Sequence, residues 1–243
     1  MNRPKRTSSR YVPFVGGWLL AFPLLLALGS NAMAAEKGME ILKGACAGCH
    51  HLTGPSPQTL QELWNRKGPD LFYAGNKYKA DWLADWLQNP VRIRPAGMYY
   101  GNHIKPGEKG DQADAATLSP HPALAADEAK AAASALSALK EKSDLIRPGE
   151  YQSGTISLSM GEMVFNKFRG CLACHQIEPD YGGISGPEVY TAAKRLQEDY
   201  LISFMRNPQA WDPKTWMPNK HLTDSDLQKL VHYLRALSRE EAK

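Results

Sequence analysis

Two stretches of the chain carry residues able to do chemistry, and they are nearly alike. GACAGCHHL runs from Gly44 to Leu52, and GCLACHQIE from Gly170 to Glu178. Each contains Cys-x-x-Cys-His, and together they use all four cysteines of the chain. Three chemistries suit such a set. Two short disulfides would each constrain few residues and add little stability, and His50 and His175 would have no task. A zinc site would need knuckles 125 residues apart to converge, again with idle histidines. Covalent haem attachment uses every residue of the motif. The thiols of Cys46 and Cys49, and of Cys171 and Cys174, add across the vinyl groups of a porphyrin, and the adjacent His reaches the iron. Two intact motifs with no spare cysteine favour haem over zinc or disulfides.

Two such sites require a repeated scaffold to position them. GPDLFYAGNKYKADWLADWLQNP, residues 68–90, aligns without a gap on GPEVYTAAKRLQEDYLISFMRNP, residues 186–208. Gly-Pro opens both and Asn-Pro closes both. Trp82, Leu83, Trp86 and Leu87 in one, and Tyr200, Leu201, Phe204 and Met205 in the other, recur at helical spacing, which predicts an amphipathic helix ending before each Asn-Pro. Each unit then reads as a short helix near Gly38 or Gly161, the Cys-x-x-Cys-His motif, a loop to Gly-Pro, and the amphipathic helix. A methionine follows, Met98 or Met217, and then a last helix. In the second unit that last helix is DSDLQKLVHYLRAL, with Asp224 or Ser225 as its N-cap; in the first it is the Ala-rich stretch 124–139. Aligning these final helices sets Ala135 opposite Tyr233 and leaves 21 additional residues after Met98.

Charge and hydropathy bound the rest. The net charge of +4 is carried by Arg3, Lys5, Arg6 and Arg10, ahead of the apolar stretch 11–30 and NAMAA. This reads as an export signal, residues 1–34, cut after Ala34; retention as an uncleaved membrane anchor is the alternative. Beyond it, 25 basic residues face 25 acidic ones, so no polybasic nucleic-acid surface is expected. The mature protein is expected in the periplasm.

On these motifs both halves resemble class I cytochrome c domains, and the whole resembles a dihaem cytochrome c. The resemblance implies an all-α fold of two tandem domains, residues 35–142 with an insertion at about 99–122, a linker 143–157, and residues 158–243. It implies two covalent haem c groups on Cys46, Cys49, Cys171 and Cys174, His50 and His175 as proximal iron ligands, and a distal Met from the loop before each last helix. Met217, followed by Pro218 and a helix start, fits that pattern. Met98 is followed by Tyr99 instead, and the insertion supplies His103 and His121 as alternative ligands. His51, His221 and His232 read as structural or solvent-facing, and Met160 and Met163 as packing in the helix before the second motif.

His/Met ligation raises a haem's reduction potential and fills both axial positions, so such a site exchanges electrons and leaves no place for substrate. The implied function is therefore single-electron relay between redox protein partners, as a carrier or as the electron-transfer subunit of a respiratory complex, and not an enzyme. A peroxidase-like dihaem enzyme with an open or His-ligated first haem is the alternative.

Overall fold

The computed structural model describes residues 36–108 and 110–240, so the expected export signal, residues 1–34, and its expected cleavage site lie outside the described residues. No helix among the described residues is long and apolar enough to cross a membrane. The fold is largely helical. It departs from an all-α expectation by two small antiparallel sheets.

In the first half, α1 (residues 36–41) widens into a π-helical turn, Leu42–Cys46, at the first cysteine of the motif. Then come α2 (Leu60–Trp64), α3 (Ala74–Lys77), α4 (Ala80–Gln88), the hairpin β1 (Ile104–Gly107) and β2 (Gly110–Ala113), and α5 (Ala126–Ala138). The second half begins with α6 (Leu158–Glu162), which also widens into a π-helical turn, Met163–Phe168. It continues through β3 (Gln176–Glu178), β4 (Tyr181–Gly182), α7 (Ala192–Arg195), α8 (Glu198–Arg206), α9 (Pro208–Trp211) and α10 (Asp224–Glu240). The β1–β2 hairpin falls in the insertion, and β3–β4 turns over Asp180, whose φ of 59° closes a tight reversal.

The repeat is built as its sequence suggests. Helices α4 and α8 stop at Asn89 and Asn207, because the proline that follows bars helical geometry to the residue before it. In each half the first helix crosses the last one at a glycine. A Cβ on Gly38 would lie 2.1 Å from the Ala131 carbonyl oxygen and 2.8 Å from the Ala135 Cβ; one on Gly161 would lie 2.2 Å from the Tyr233 ring. Ala135 and Tyr233 therefore hold equivalent places. The smaller residue lets α1 approach the backbone of α5, whereas α6 rests on a ring.

Two differences from expectation are local. Helix α10 is capped by Thr223, not by Asp224 or Ser225. The Thr223 hydroxyl accepts from Asp226 N at 3.2 Å while the Asp226 carboxylate accepts from Thr223 N at 3.1 Å, a reciprocal box. Met160 and Met163 are exposed, because the inward face of that segment is taken by Gly161, Val164 and Phe165.

The apolar core forms two clusters. One gathers Leu42, Leu71, Leu83, Leu87 and the alanines of α5; the other centres on Trp211, Tyr200, Leu227 and Tyr233 and takes in Phe72 and Tyr73 from the first half. The repeats meet about an approximate two-fold axis. Tyr78 and Leu196, equivalent in the repeat, form a β-bridge. Lys79 N donates to Arg195 O and Gln197 N to Lys77 O, both at 3.0 Å. The side chains copy the symmetry: Lys79 Nζ donates to Ala193 O at 2.8 Å and Gln197 Nε2 to Gly75 O at 2.9 Å. Each repeat makes the contact it receives, which is how a self-complementary pairing arises. The segment 143–157 is strapped to the second half through Gly149 N and Tyr151 N, both donating to the Asp199 carboxylate.

A buried charge cluster locks the same junction. The Arg66 guanidinium lies 2.8 Å from Asp70 and 2.5 Å from Asp212. Asp70 is 1% exposed, and its carboxylate faces Arg66 on one oxygen and His51 Nδ1, at 3.2 Å, on the other. Arg66→Met removes the one guanidinium that both carboxylates face and is expected to cost about 3–5 kcal/mol in reversible unfolding; a loss under about 1 kcal/mol would show that water replaces it. The cap gives a pH test. The Arg169 guanidinium, with Thr223, holds the Asp226 carboxyl down to about 2. Because that value is depressed, its contribution is full above the ordinary carboxyl range, near pH 4, and is lost as pH falls towards about 2. Asp226→Asn should flatten the stability profile over that window; an unchanged acid limb would contradict the assignment.

Candidate functional site

Both motifs fold into one tight turn. Cys46 O accepts from Cys49 N and His50 N at 3.0 Å, and Cys171 O accepts from Cys174 N and His175 N at 3.1 Å. The four thiols are unpaired, with Cys49 and Cys174 exposed and Cys46 and Cys171 half-buried. Burial raises the Cys46 and Cys171 thiols above their ordinary range. Among the described residues no three His, Cys, Asp or Glu side chains converge as a metal cluster.

The histidines are held in an identical way. His50 Nδ1 lies 2.7 Å from Pro69 O, and His175 Nδ1 lies 2.7 Å from Pro187 O. With Nδ1–H donating to a carbonyl, each ring keeps its Nε2 lone pair for a metal. The glycine before each proline makes room. A Cβ on Gly68 would stand 2.4 Å from His50 Cε1, and one on Gly186 would stand 2.7 Å from His175 Cε1. This accounts for the Gly-Pro that opens each repeat: the glycine admits the ring and the proline carbonyl takes its proton. Burial, the largest influence on each, lowers both imidazoles below the ordinary histidine range. They are thus neutral and able to bind a metal at neutral pH. The strand of chain after each histidine is pinned alike, Leu71 N to His51 O and Val189 N to Gln176 O, both at 2.9 Å.

The other ligand candidates are scattered by the loops that follow Asn-Pro. Met217 is half-buried, and its carbonyl accepts from Gln209 Nε2 at 2.8 Å, which ties its loop to α9. Met98 is half-buried directly after Gly97, whose φ is 72°. His103 bonds Thr117 Oγ1 through Nδ1 at 2.9 Å within the insertion, and its ring packs on Gly97 just ahead of it. His121 packs on Trp86, with ring centroids 4.7 Å apart, and stands across from His50 at 6.2 Å. His221 sits in a turn at φ 48°, and His232 bonds Gln152 O, so both are structural.

Apolar and charged walls complete the sites. Tyr78, Trp82 and Trp86 stack in series at 5.6 Å, Tyr200 packs on Phe204 at 5.7 Å, and Phe165 sets its edge towards His175. Sequence reasoning missed the cations. Lys77 lies over the rings of Tyr78, Tyr73 and Tyr200, and Arg94 is near it; burial lowers both below their ordinary ranges, and neither is in ion-pair contact with a carboxylate among the described residues. Their signal was present only as basic residues inside apolar stretches. Free thiols one turn from a neutral imidazole with open Nε2, beside aromatic rings and unneutralised cations, fit a porphyrin with its anionic propionates.

Gly186→Ala should press a methyl group into the His175 ring and the Cys174 carbonyl, costing about 1–3 kcal/mol by denaturant unfolding. Wild-type stability in that variant would show that the ring is free to move.

Comparison with curated proteins and with solved structures gives no match. Residues 158–238 match the family model described as cytochrome c. That segment contains Cys171, Cys174, His175 and Met217, and the chain thus carries a cytochrome c domain in its second half.

Proposed function

We propose that this chain is an exported dihaem c-type cytochrome that relays single electrons between redox protein partners. The observation that carries the reading is the duplicated histidine cradle: the same 2.7 Å bond to a proline carbonyl, beside the same glycine, after both Cys-x-x-Cys-His motifs. The cytochrome c match covers the second motif, and the repeat of its geometry extends the reading to the first. The halves are proposed as residues 35–142 and 158–243, joined by 143–157, with residues 1–34 directing export to the periplasm or remaining as an anchor.

Cys46 and Cys49, and Cys171 and Cys174, would hold the two haems by thioether bonds, with His50 and His175 on the iron and Met217 opposite His175. When bound, each haem supplies a one-electron couple between ferric and ferrous iron. The chain's own residues set the conditions. The proline carbonyls fix the tautomer and orientation of each imidazole, so neither ring reorients when the metal changes charge. Trp82, Trp86, Tyr200 and Phe204 exclude water, which limits solvent reorganisation. Lys77 and Arg94 offset negative charge between the halves. The His121 ring across from His50 supports a closed first site, in line with a carrier and against a peroxidase-like enzyme.

The test is a pyridine haemochrome assay on the secreted protein, with the expected result of about two covalent haems per chain. Cys171→Ala with Cys174→Ala should leave one haem and an otherwise folded first half. One haem in the wild type, or haem extractable by acid-acetone, would refute the reading.

A further inference from the structure

We infer that His121, on the inserted segment, is the distal ligand of the first haem, which makes that site bis-histidine and the low-potential end of the relay. The inference rests on the dihaem reading above and adds the ligand and the order of transfer.

Geometry carries it. His50 and His121 have ring centroids 6.2 Å apart. An imidazole nitrogen lies about 2.0–2.1 Å from a bound metal and about 1.1 Å from the centre of its own ring, so two imidazoles sharing one metal stand about 6.3 Å apart. The two rings thus leave between them the space that one iron occupies. Ring contacts without a metal cover a range that includes this distance, so the tautomers matter as a second observation. His50 Nδ1 is tied to Pro69 O at 2.7 Å and His121 Nδ1 to Pro122 O at 2.8 Å. Both rings therefore have Nε2 unclaimed.

The segment bearing His121 is fixed rather than loose. Arg92 donates to Ser119 O at 3.3 Å on one side, and Leu124 N donates to Leu87 O at 2.9 Å on the other. Between these anchors the sequence is Ser119-Pro120-His121-Pro122, two prolines restricting the backbone on either side of the ring. Trp86 supports the ring at 4.7 Å. His103 has no comparable claim: among the described residues it is the His121 ring that is set against His50, whereas the His103 ring packs on Gly97. Met98 matches Met217 in register with Asn-Pro, yet the insertion after it places an imidazole opposite His50. The extra residues between Met98 and α5 then have a task, namely to deliver His121.

The consequence follows from ligand chemistry. A thioether favours ferrous iron more than an imidazole does, so the first site lies below the second in potential. One electron leaves the first iron as it passes from ferrous to ferric and enters the second as it passes from ferric to ferrous, with no bond made or broken. A protein donor then reduces the first half, and the second half passes the electron on.

The experiment compares His121→Ala, His121→Met and Met98→Ala in the secreted holoprotein. Wild-type ferric protein should show sulfur-to-iron charge-transfer absorbance for one haem per chain, and Met98→Ala should leave it unchanged. His121→Ala should open one site, so that carbon monoxide shifts half of the reduced Soret band, and added imidazole should close it again. His121→Met should double the charge-transfer absorbance and raise the lower of the two potentials. Should the alanine variant fail to accumulate, the wild-type absorbance and the Met98→Ala spectrum decide alone. Charge-transfer absorbance from two haems in the wild type, or half of it lost in Met98→Ala, overturns the inference. So does a His121→Ala spectrum that stays inert to carbon monoxide. A haemochrome count of one haem would instead defeat the dihaem reading, so the two failures are distinguishable.

Discussion

Each site depends on a buried imidazole whose ring N–H is given to a proline carbonyl. That bond must be made, because a buried ring nitrogen without a partner costs more than the bond itself contributes. It sets much else. The residue before the proline has to be glycine, since any Cβ would enter the ring, and the chain must return to the histidine within a short loop. A carboxylate follows directly in both halves, Asp70 or Glu188, each buried and each answered by an arginine. The arginines come from different directions, Arg66 four residues before Asp70 and Arg195 seven after Glu188, so the charge balance is kept while its source is not.

The two histidine cradles are joined by a pairing in which equivalent residues meet. A two-fold arrangement suits a duplicated sequence, because one favourable contact is obtained twice from one pattern. Here the Tyr78–Leu196 bridge and the reciprocal bonds of Lys79 and Gln197 place the α3–α4 and α7–α8 corners back to back. The symmetry is broken where chemistry or packing demands it. Trp211, fully buried, has no counterpart in the first half, and Phe72 and Tyr73 cross over to pack with it. The junction is therefore a shared core with buried charge, which would hold the distance between the sites constant in the proposed electron relay.

The halves differ most plainly where their first and last helices cross. Tyr233 fills the crossing of α6 and α10 with a ring, whereas Ala135 brings α1 onto the backbone of α5. An alanine-rich α5 suits that close approach, and its burial of Ala129, Ala132, Ala133 and Ala135 shows how little side chain the first core contains. The His121 segment adds packing to this thinner half, its ring on Trp86 and Leu124 beside it joining the cluster.

The sequence by itself determined the elements that obey short-range rules. Cys-x-x-Cys-His names its chemistry, Asn-Pro ends two helices through the proline ring, and alignment of the two final helices sets Ala135 opposite Tyr233. Gly-Pro was legible as a boundary, yet its purpose was not, because the imidazole it cradles lies 12 to 19 residues away in sequence. The small sheets escaped periodicity since strands of two to four residues give no alternation to read. Met160 and Met163 misled because Gly161, Val164 and Phe165 take the inward face of their segment. Tertiary structure alone decided the rest. Which of Met98, His103 and His121 faces His50 depends on how the segment 99–122 folds back, and only packing against Trp86, Arg92 and Leu87 fixes that path. Local residue types specify turns and caps; long-range contacts between residues far apart in the chain specify which side chains come face to face.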